Sequence, residues 1–210
     1  MAYDITFVGH MCFDEIVPFE GETTIAPGSA VLCGAMAAAR AGARVAVVTR
    51  MAEQDRPILA PLAAVGVDCH LVPAPETTYM EVVHPEPDVD VRQMFQRRDA
   101  GFIQPDDVPD RPTRHLHLAG VTDREFPLDL LRALRQRPVK LSTDMQSFVR
   151  QVDPVTREIH FRDVPAKQQI AALMDLVKLD SVEATLLTGE DDLERAAIHV
   201  EAWGCPRVVI

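Results

Sequence analysis

Short apolar runs rich in β-branched residues recur along the chain, separated by stretches whose apolar positions fall at helical spacing. The runs at 5–9, 44–49, 68–72, 115–119, 139–143, 176–179 and 207–210 read as strands. Between them, 29–41, 55–65, 127–137, 166–174, 181–187 and 191–203 are amphipathic or alanine-rich and read as helices. The punctuation agrees. Pro127 stands at a first helical position, Gly42 and Gly189 fall where a C-terminal cap belongs, and Pro138 stops the helix before it. Strands alternating with helices predict a parallel sheet with right-handed crossovers and helices on both faces, a doubly wound three-layer α/β/α domain.

Two segments break this alternation. Residues 14–25 read as a strand pair turning at Glu20-Gly21, and 77–84 with 89–97 alternate apolar and polar positions across Pro85-Glu86-Pro87-Asp88. Neither fits a parallel sheet. Together 14–25 and 77–97 predict a small antiparallel sheet projecting from the main one, a lid or an oligomer contact. Residues 105–112 form a polar, proline-rich loop.

Composition narrows the function. The chain has 210 residues, enough for one such domain spanning 1–210, and its formal net charge of −11 argues against a nucleic-acid partner. No apolar run approaches the roughly 20 residues that cross a bilayer, and the start MAYDITFVGH carries no signal-peptide pattern. The four cysteines (Cys12, Cys33, Cys69, Cys205) form no CxxC and suit reduced thiols in the cytoplasm.

Ligands of open parallel sheets gather beyond the carboxyl ends of the strands. Those ends carry Gly9 and His10, Thr49 and Arg50, Gly120, Asp144 and Asp180. Asp144 and Asp180 would face one crevice, where carboxylates suit hydroxyl groups or hydrated Mg²⁺, and Gly120 would let a ligand approach backbone. Each residue has a plainer role open to it. Asp180 with Glu183 fits a capping box, Asp144 fits a turn, and Ser29 fits an N-cap. His115 and His117 share a sheet face and read as a histidine pair rather than a metal site. No G-x-G-x-x-G follows the first strand, and neither G-x-x-x-x-G-K-[ST] nor G-x-S-x-G occurs anywhere, which excludes the common dinucleotide, P-loop and hydrolase sites.

Other motifs are more specific. Gly28-Ser29-Ala30-Val31-Leu32-Cys33-Gly34-Ala35 through Gly42 is similar to the first signature of the PfkB/ribokinase family of sugar and nucleoside kinases, a Gly-Gly, then Asn, then an alanine-rich helix ending in Gly. Ser29 replaces the second Gly and Cys33 the Asn. Val177-Lys178-Leu179-Asp180-Ser181-Val182-Glu183-Ala184 through Gly189 resembles that family's VKPNxxEAxxLTG stretch, with Asp180 in place of Asn. Asp144, Gln146 and Arg150 resemble the D-x-Q…R variant of its inositol- and nucleoside-kinase-like branch.

This resemblance implies a ribokinase-like fold and ATP-dependent phosphorylation of a hydroxyl on a sugar, polyol or nucleoside. It implies substrate binding by Asp14, Gly28, Ser29, Cys33 and Asp144, and association of Asp180 and Glu183 with nucleotide phosphates and Mg²⁺. It implies a lid that covers the substrate and a homodimer formed through it. The family's catalytic base lies in a Gly-Ala-Gly-Asp-type segment after the strand that here begins near Arg207. The expectation is therefore that the base lies beyond Ile210, that this sequence carries the substrate-binding part of a kinase, and that it is inactive on its own. A non-catalytic sugar- or nucleoside-binding or regulatory protein of the same fold is the alternative, and the Ser29, Cys33 and Asp180 departures fit it.

Overall fold

A computed structural model describes residues 2–210. The strands, in chain order, are β1 (Ile5–Val8), β2 (Cys12–Val17), β3 (Thr24–Gly28), β4 (Val45–Met51), β5 (Asp68–Pro73), β6 (Thr78–Val83), β7 (Gln93–Arg98), β8 (His115–Leu118), β9 (Lys140–Asp144), β10 (Arg150–Val152), β11 (Ile159–Phe161), β12 (Leu176–Lys178) and β13 (Val208–Val209). The helices are α1 (Ala30–Arg40), α2 (Ala60–Ala64), α3 (Leu128–Arg135), α4 (Gln146–Val149), α5 (Lys167–Leu173), α6 (Ser181–Thr188) and α7 (Leu193–Ala202).

All seven expected strands lie in one sheet, ordered β13-β12-β9-β8-β1-β4-β5, and every neighbouring pair is parallel. β1 and β4 lie inside the sheet and are covered on both sides, which is why they read as mostly apolar runs. One face sends Val8, Leu116, Leu118 and Leu141 against Leu130, Leu131 and Leu134 of α3 and residues of α5, α6 and α7. The other sends Phe7, Val45 and Val47 against Val31 and Ala35 of α1 and Leu62 of α2. The small residues of α1 let it lie directly on the sheet. A Cβ on Gly34 would stand 2.6 Å from the Phe7 ring.

The single helix expected over 55–65 is instead a 3₁₀ turn, Glu53–Leu59, followed by the short α2. Pro57 and Pro61 are the cause, since each lacks the N–H that a continuous helical ladder needs. Pro127 sits one residue outside α3, at its N-cap. Gly189 caps α6 with φ of 75°, its N–H bonded to the Thr185 carbonyl.

The lid is a four-stranded sheet ordered β3-β2-β6-β7. Its outer pairs, β2–β3 and β6–β7, are antiparallel as expected, but the two hairpins join through a parallel β2–β6 pair. The reason is topological. β2 continues β1 and β6 continues β5, both parent strands run in the same direction, and both chains therefore leave the sheet's carboxyl edge together. Alternation sorts the two faces. Phe13, Glu15, Tyr79, Glu81 and Arg97 form an outer layer, with Tyr79 bonded to Glu15 and Arg97 to Glu81. Cys12, Asp14, Ile16, Met80 and Met94 point inward.

A further hairpin, β10–β11, braces the lid from the side. Phe95 of β7 bridges Glu158, and the Gln96 N–H bonds the Arg157 carbonyl at 2.9 Å. The lid's root is a buried polar knot. His10 Nδ1 meets Thr78 Oγ1 at 2.9 Å, His10 Nε2 meets the Gly101 carbonyl at 2.9 Å, and the His10 N–H donates to Glu125 Oε2 at 2.7 Å. Because a carbonyl only accepts, His10 donates from Nε2 to Gly101.

Candidate functional site

Between the lid and the carboxyl edge of the main sheet lies a cavity of about 490 Å³. Asp14, Gly28, Ser29 and Cys33, four of the five residues expected to bind substrate, wall it. β2 and β3 pair so that Cys12 faces Gly28, which seats the Asp14 carboxylate on bare glycine backbone. A Cβ at Gly28 would fall 1.7 Å from Asp14 Oδ2. The Cys12 thiol donates to Asp14 Oδ1 at 3.1 Å, and burial, reinforced by Asp14, holds that thiol well above its ordinary pKa, so it remains a donor. Burial likewise pushes the Asp14 carboxyl up, against the pull of the Cys12 thiol and of Arg150. A half-buried carboxylate with one oxygen fixed and the cavity before it is suited to accept from ligand hydroxyls.

Ser29 caps α1. Its Oγ accepts from the Leu32 N–H at 3.1 Å. It does so at φ 131°, ψ 161°, a backbone conformation natural only to glycine. Cys33, in the first turn of α1, is exposed and lines the cavity.

Asp144 ends β9 as expected and stands off the cavity wall. Its Oδ1 accepts from the Gln146 N–H at 3.0 Å, and its Oδ2 pairs with Lys178 at 3.1 Å. From the same turn, Gln146 and Arg150 do reach the wall, Gln146 held by its amide on the Gly120 carbonyl at 3.0 Å. Gly120 itself leaves no space for a ligand. A Cβ there would strike Phe126 at 2.7 Å and Ser147 at 2.9 Å, so its bareness serves packing.

Asp180 and Glu183 make the capping box that the spacing allowed. Asp180 Oδ1 accepts from the Glu183 N–H at 2.8 Å, and Glu183 Oε2 accepts from the Asp180 N–H at 2.9 Å. Burial raises Glu183 from 4.5 to about 7, Asp144 and Asp180 add to the rise, and the Asp180 N–H opposes it. Asp144 and Asp180 are therefore near enough to act on the charge of Glu183, and Arg150 is in electrostatic reach of all three.

The described residues hold no group of three or more His, Cys, Asp or Glu able to grip a metal ion. One oxygen each of Asp180 and Glu183 is already spent on the capping box, and both oxygens of Asp144 have partners. That donor set suits an Mg²⁺ that keeps its waters and does not suit direct ligation. His115 Nε2 and His117 Nδ1 both meet Ser142 Oγ, at 2.6 and 2.8 Å, and burial lowers His117 to about 4. The two rings thus share one serine hydroxyl on the same sheet face. No helix of the described residues is long and apolar enough to cross a membrane.

Comparison with known proteins places these features. No family model matches the sequence. A cytidine kinase of Thermococcus kodakarensis is 25% identical over 214 residues, spanning 99% of this chain and 72% of the relative. A pyrophosphate-dependent kinase in the ribokinase family, complexed with a pyrophosphate analogue and myo-inositol, superposes with a TM-score of 0.87 at 29% identity, over 96% of this chain and 70% of the other. A sulfate complex of a pyrophosphate-dependent kinase in the ribokinase family superposes with a TM-score of 0.90 at 30% identity, over 97% of this chain and 71% of the other. Sequence and architecture thus agree along nearly the whole length, and the chain belongs to the ribokinase family.

Proposed function

We propose that the cavity beneath the lid binds the hydroxyl-bearing acceptor of a small-molecule kinase, a sugar, polyol or nucleoside, and presents it for phosphorylation by ATP. The observation that carries this reading is the Asp14 carboxylate, inward on the lid and seated on Gly28. Asp14 accepts from acceptor hydroxyls, the start of α1 at Gly28 and Ser29 closes the cavity beside it, and Cys33 shapes its wall. Asp144 orders the turn that delivers Gln146 and Arg150. Asp180 and Glu183 lie toward the donor phosphates and hold the waters of a hydrated Mg²⁺, which when bound neutralises charge on the phosphates. The lid excludes water from the acceptor.

Relatives support the kinase class: one is a cytidine kinase and another is complexed with myo-inositol, and both compounds suit a pocket for hydroxyl-rich ligands. The edge strand β3, with Ile25 59% exposed, supports a homodimer formed through the lid. Four free thiols support a cytoplasmic setting.

The test uses the longest natural polypeptide containing this sequence. A thermal-shift screen of ribose, fructose, inositols and nucleosides, with and without Mg-ATP or pyrophosphate, is followed by detection of the phosphorylated product. The reading expects an acceptor-dependent stabilisation and product formation. Stabilisation without product from either donor would favour the non-catalytic binding protein, and no stabilisation by any hydroxyl compound would refute an acceptor cavity.

A further inference from the structure

In a chain of net charge −11, the amino edge of the main sheet is basic. Arg114 leads into β8, Arg135 ends α3, Arg137 lies in the turn that follows, Lys140 opens β9 and Arg207 precedes β13. Arg114, Arg135, Arg137 and Lys140 line a groove of about 430 Å³ whose one acid is Asp175. The charges there do not cancel. The buried Asp175 carboxylate takes Arg135 at 2.9 Å and Lys140 at 3.2 Å, and its backbone carbonyl takes Arg207 Nε at 3.3 Å. Arg114 pairs with Asp4 at 3.1 Å, and Arg137 spends Nη2 on the neutral Val108 carbonyl at 2.7 Å. Among the described residues these five cations meet two carboxylates within ion-pair distance, which leaves a surplus of positive charge. His115 registers that surplus: burial lowers its pKa, Arg207 and Lys140 add to the fall, and Asp175 opposes it. The carboxyl end of the α3 dipole accounts for Arg135, but not for Arg114, Lys140 and Arg207, which stand at strand starts. The groove is also built before any ligand arrives. Asp175 Oδ2 accepts from the Leu141 N–H at 2.8 Å, so the carboxylate that aligns Arg135 and Lys140 is itself fixed to the sheet.

We propose that this groove is a second binding site, for a multivalent phosphate-type anion, at the opposite edge of the sheet from the acceptor cavity. It stands apart from the acceptor reading and does not need it. Guanidinium forks offer paired, charge-assisted donors to phosphate oxygens. Several charges are required because a single exposed ion pair is worth little in water, and Asp175 already offsets part of the field. An anion that spans Arg114, Arg135 and Lys140 together gains from all three. The anion has two possible sources with the same chemistry: a free inorganic polyphosphate, or the polyphosphate tail of a nucleotide.

The experiment is calorimetry on the full chain at fixed low ionic strength and without divalent metal. The probes are inorganic phosphate, pyrophosphate, tripolyphosphate and ATP, and the variant carries Arg114→Gln and Lys140→Gln together. The two side chains are 78% and 63% exposed, so the double variant keeps the fold, and melting curves check it. Tripolyphosphate is expected to bind more tightly than phosphate, less tightly as salt is added, and about tenfold more weakly to the double variant. Stabilisation by hydroxyl compounds in the thermal screen is expected to be the same in both proteins. ATP binding that the double variant weakens assigns the anion to a nucleotide. ATP binding indifferent to it, or absent, beside tripolyphosphate binding that is weakened, assigns it to a free inorganic anion. Both results support the site. No binding of any probe, tripolyphosphate no tighter than phosphate, or tripolyphosphate binding indifferent to the double variant overturns it. Anion binding that needs Arg114 and Lys140 while no hydroxyl compound stabilises the chain would refute the acceptor cavity and leave this site standing.

Discussion

Glu183 gives the sharpest physical test of the sheet's carboxyl edge. It is 1% exposed, faces Asp144 and Asp180, and has its pKa raised from 4.5 to about 7. A carboxyl that holds its proton more tightly folded than unfolded stabilises the fold below its unfolded value. That stability is lost as pH rises through the folded one. Each pH unit is worth about 1.4 kcal/mol, so the full loss is on the order of 1–3 kcal/mol. Glu183→Gln removes the titration and keeps the capping box, because a glutamine oxygen also accepts from the Asp180 N–H. Urea unfolding of both proteins from pH 4.5 to 8.5 is the assay. The two are expected to be nearly equal at the acid end, with the variant pulling ahead between about 5 and 7 and more stable by about 1–3 kcal/mol above 8. A difference that stays flat across this range would mean that burial and the neighbouring carboxylates do not act on Glu183 as argued.

Two further perturbations address the start of α1. Gly28→Ala places a Cβ where Asp14 Oδ2 now sits, so calorimetry should show acceptor binding weakened by about tenfold or more, with a stability cost of about 1–3 kcal/mol. Acceptor affinity equal to wild type would place the ligand elsewhere. Ser29→Gly relieves a side chain held at φ 131°, worth about 1–3 kcal/mol, and loses a cap and some unfolded-state restraint worth about 1 kcal/mol. Chemical denaturation should find the variant more stable by about 1 kcal/mol. A destabilised variant would show that the Ser29 hydroxyl outweighs the backbone strain.

The legible and illegible parts of this molecule divide by the range of the interactions. The inner strands announce themselves because a strand covered on both faces is largely apolar, as in Val45–Val48 of β4. The lid is visible in the alternation of Thr78–Val83, whose inner residues meet the cavity and whose outer ones meet solvent. The β10–β11 hairpin escapes because three-residue strands carry no period, and its turn puts Arg157 at φ 66° without the usual glycine or asparagine.

At the site, Asp14, Gly28, Ser29 and Cys33 are readable from motif and order. The partition between Asp144, which pairs with Lys178, and Arg150, which reaches the cavity, is set by the pairing of β9 with β12 and the turn that follows. Arg92, Met80 and Met94 join the wall only through the lid's register. The His10–Glu125 contact spans 115 residues and leaves no local trace in the sequence.

The central claim is that one inward carboxylate on the lid recognises the acceptor. Calorimetric titration of the chain and of Asp14→Asn, with whichever hydroxyl compound stabilises it in the thermal screen, tests this most directly. The account predicts a saturable isotherm of one site per chain, weakened by about tenfold or more in the variant while its melting temperature is kept. An isotherm unchanged by Asp14→Asn in a folded protein would contradict it.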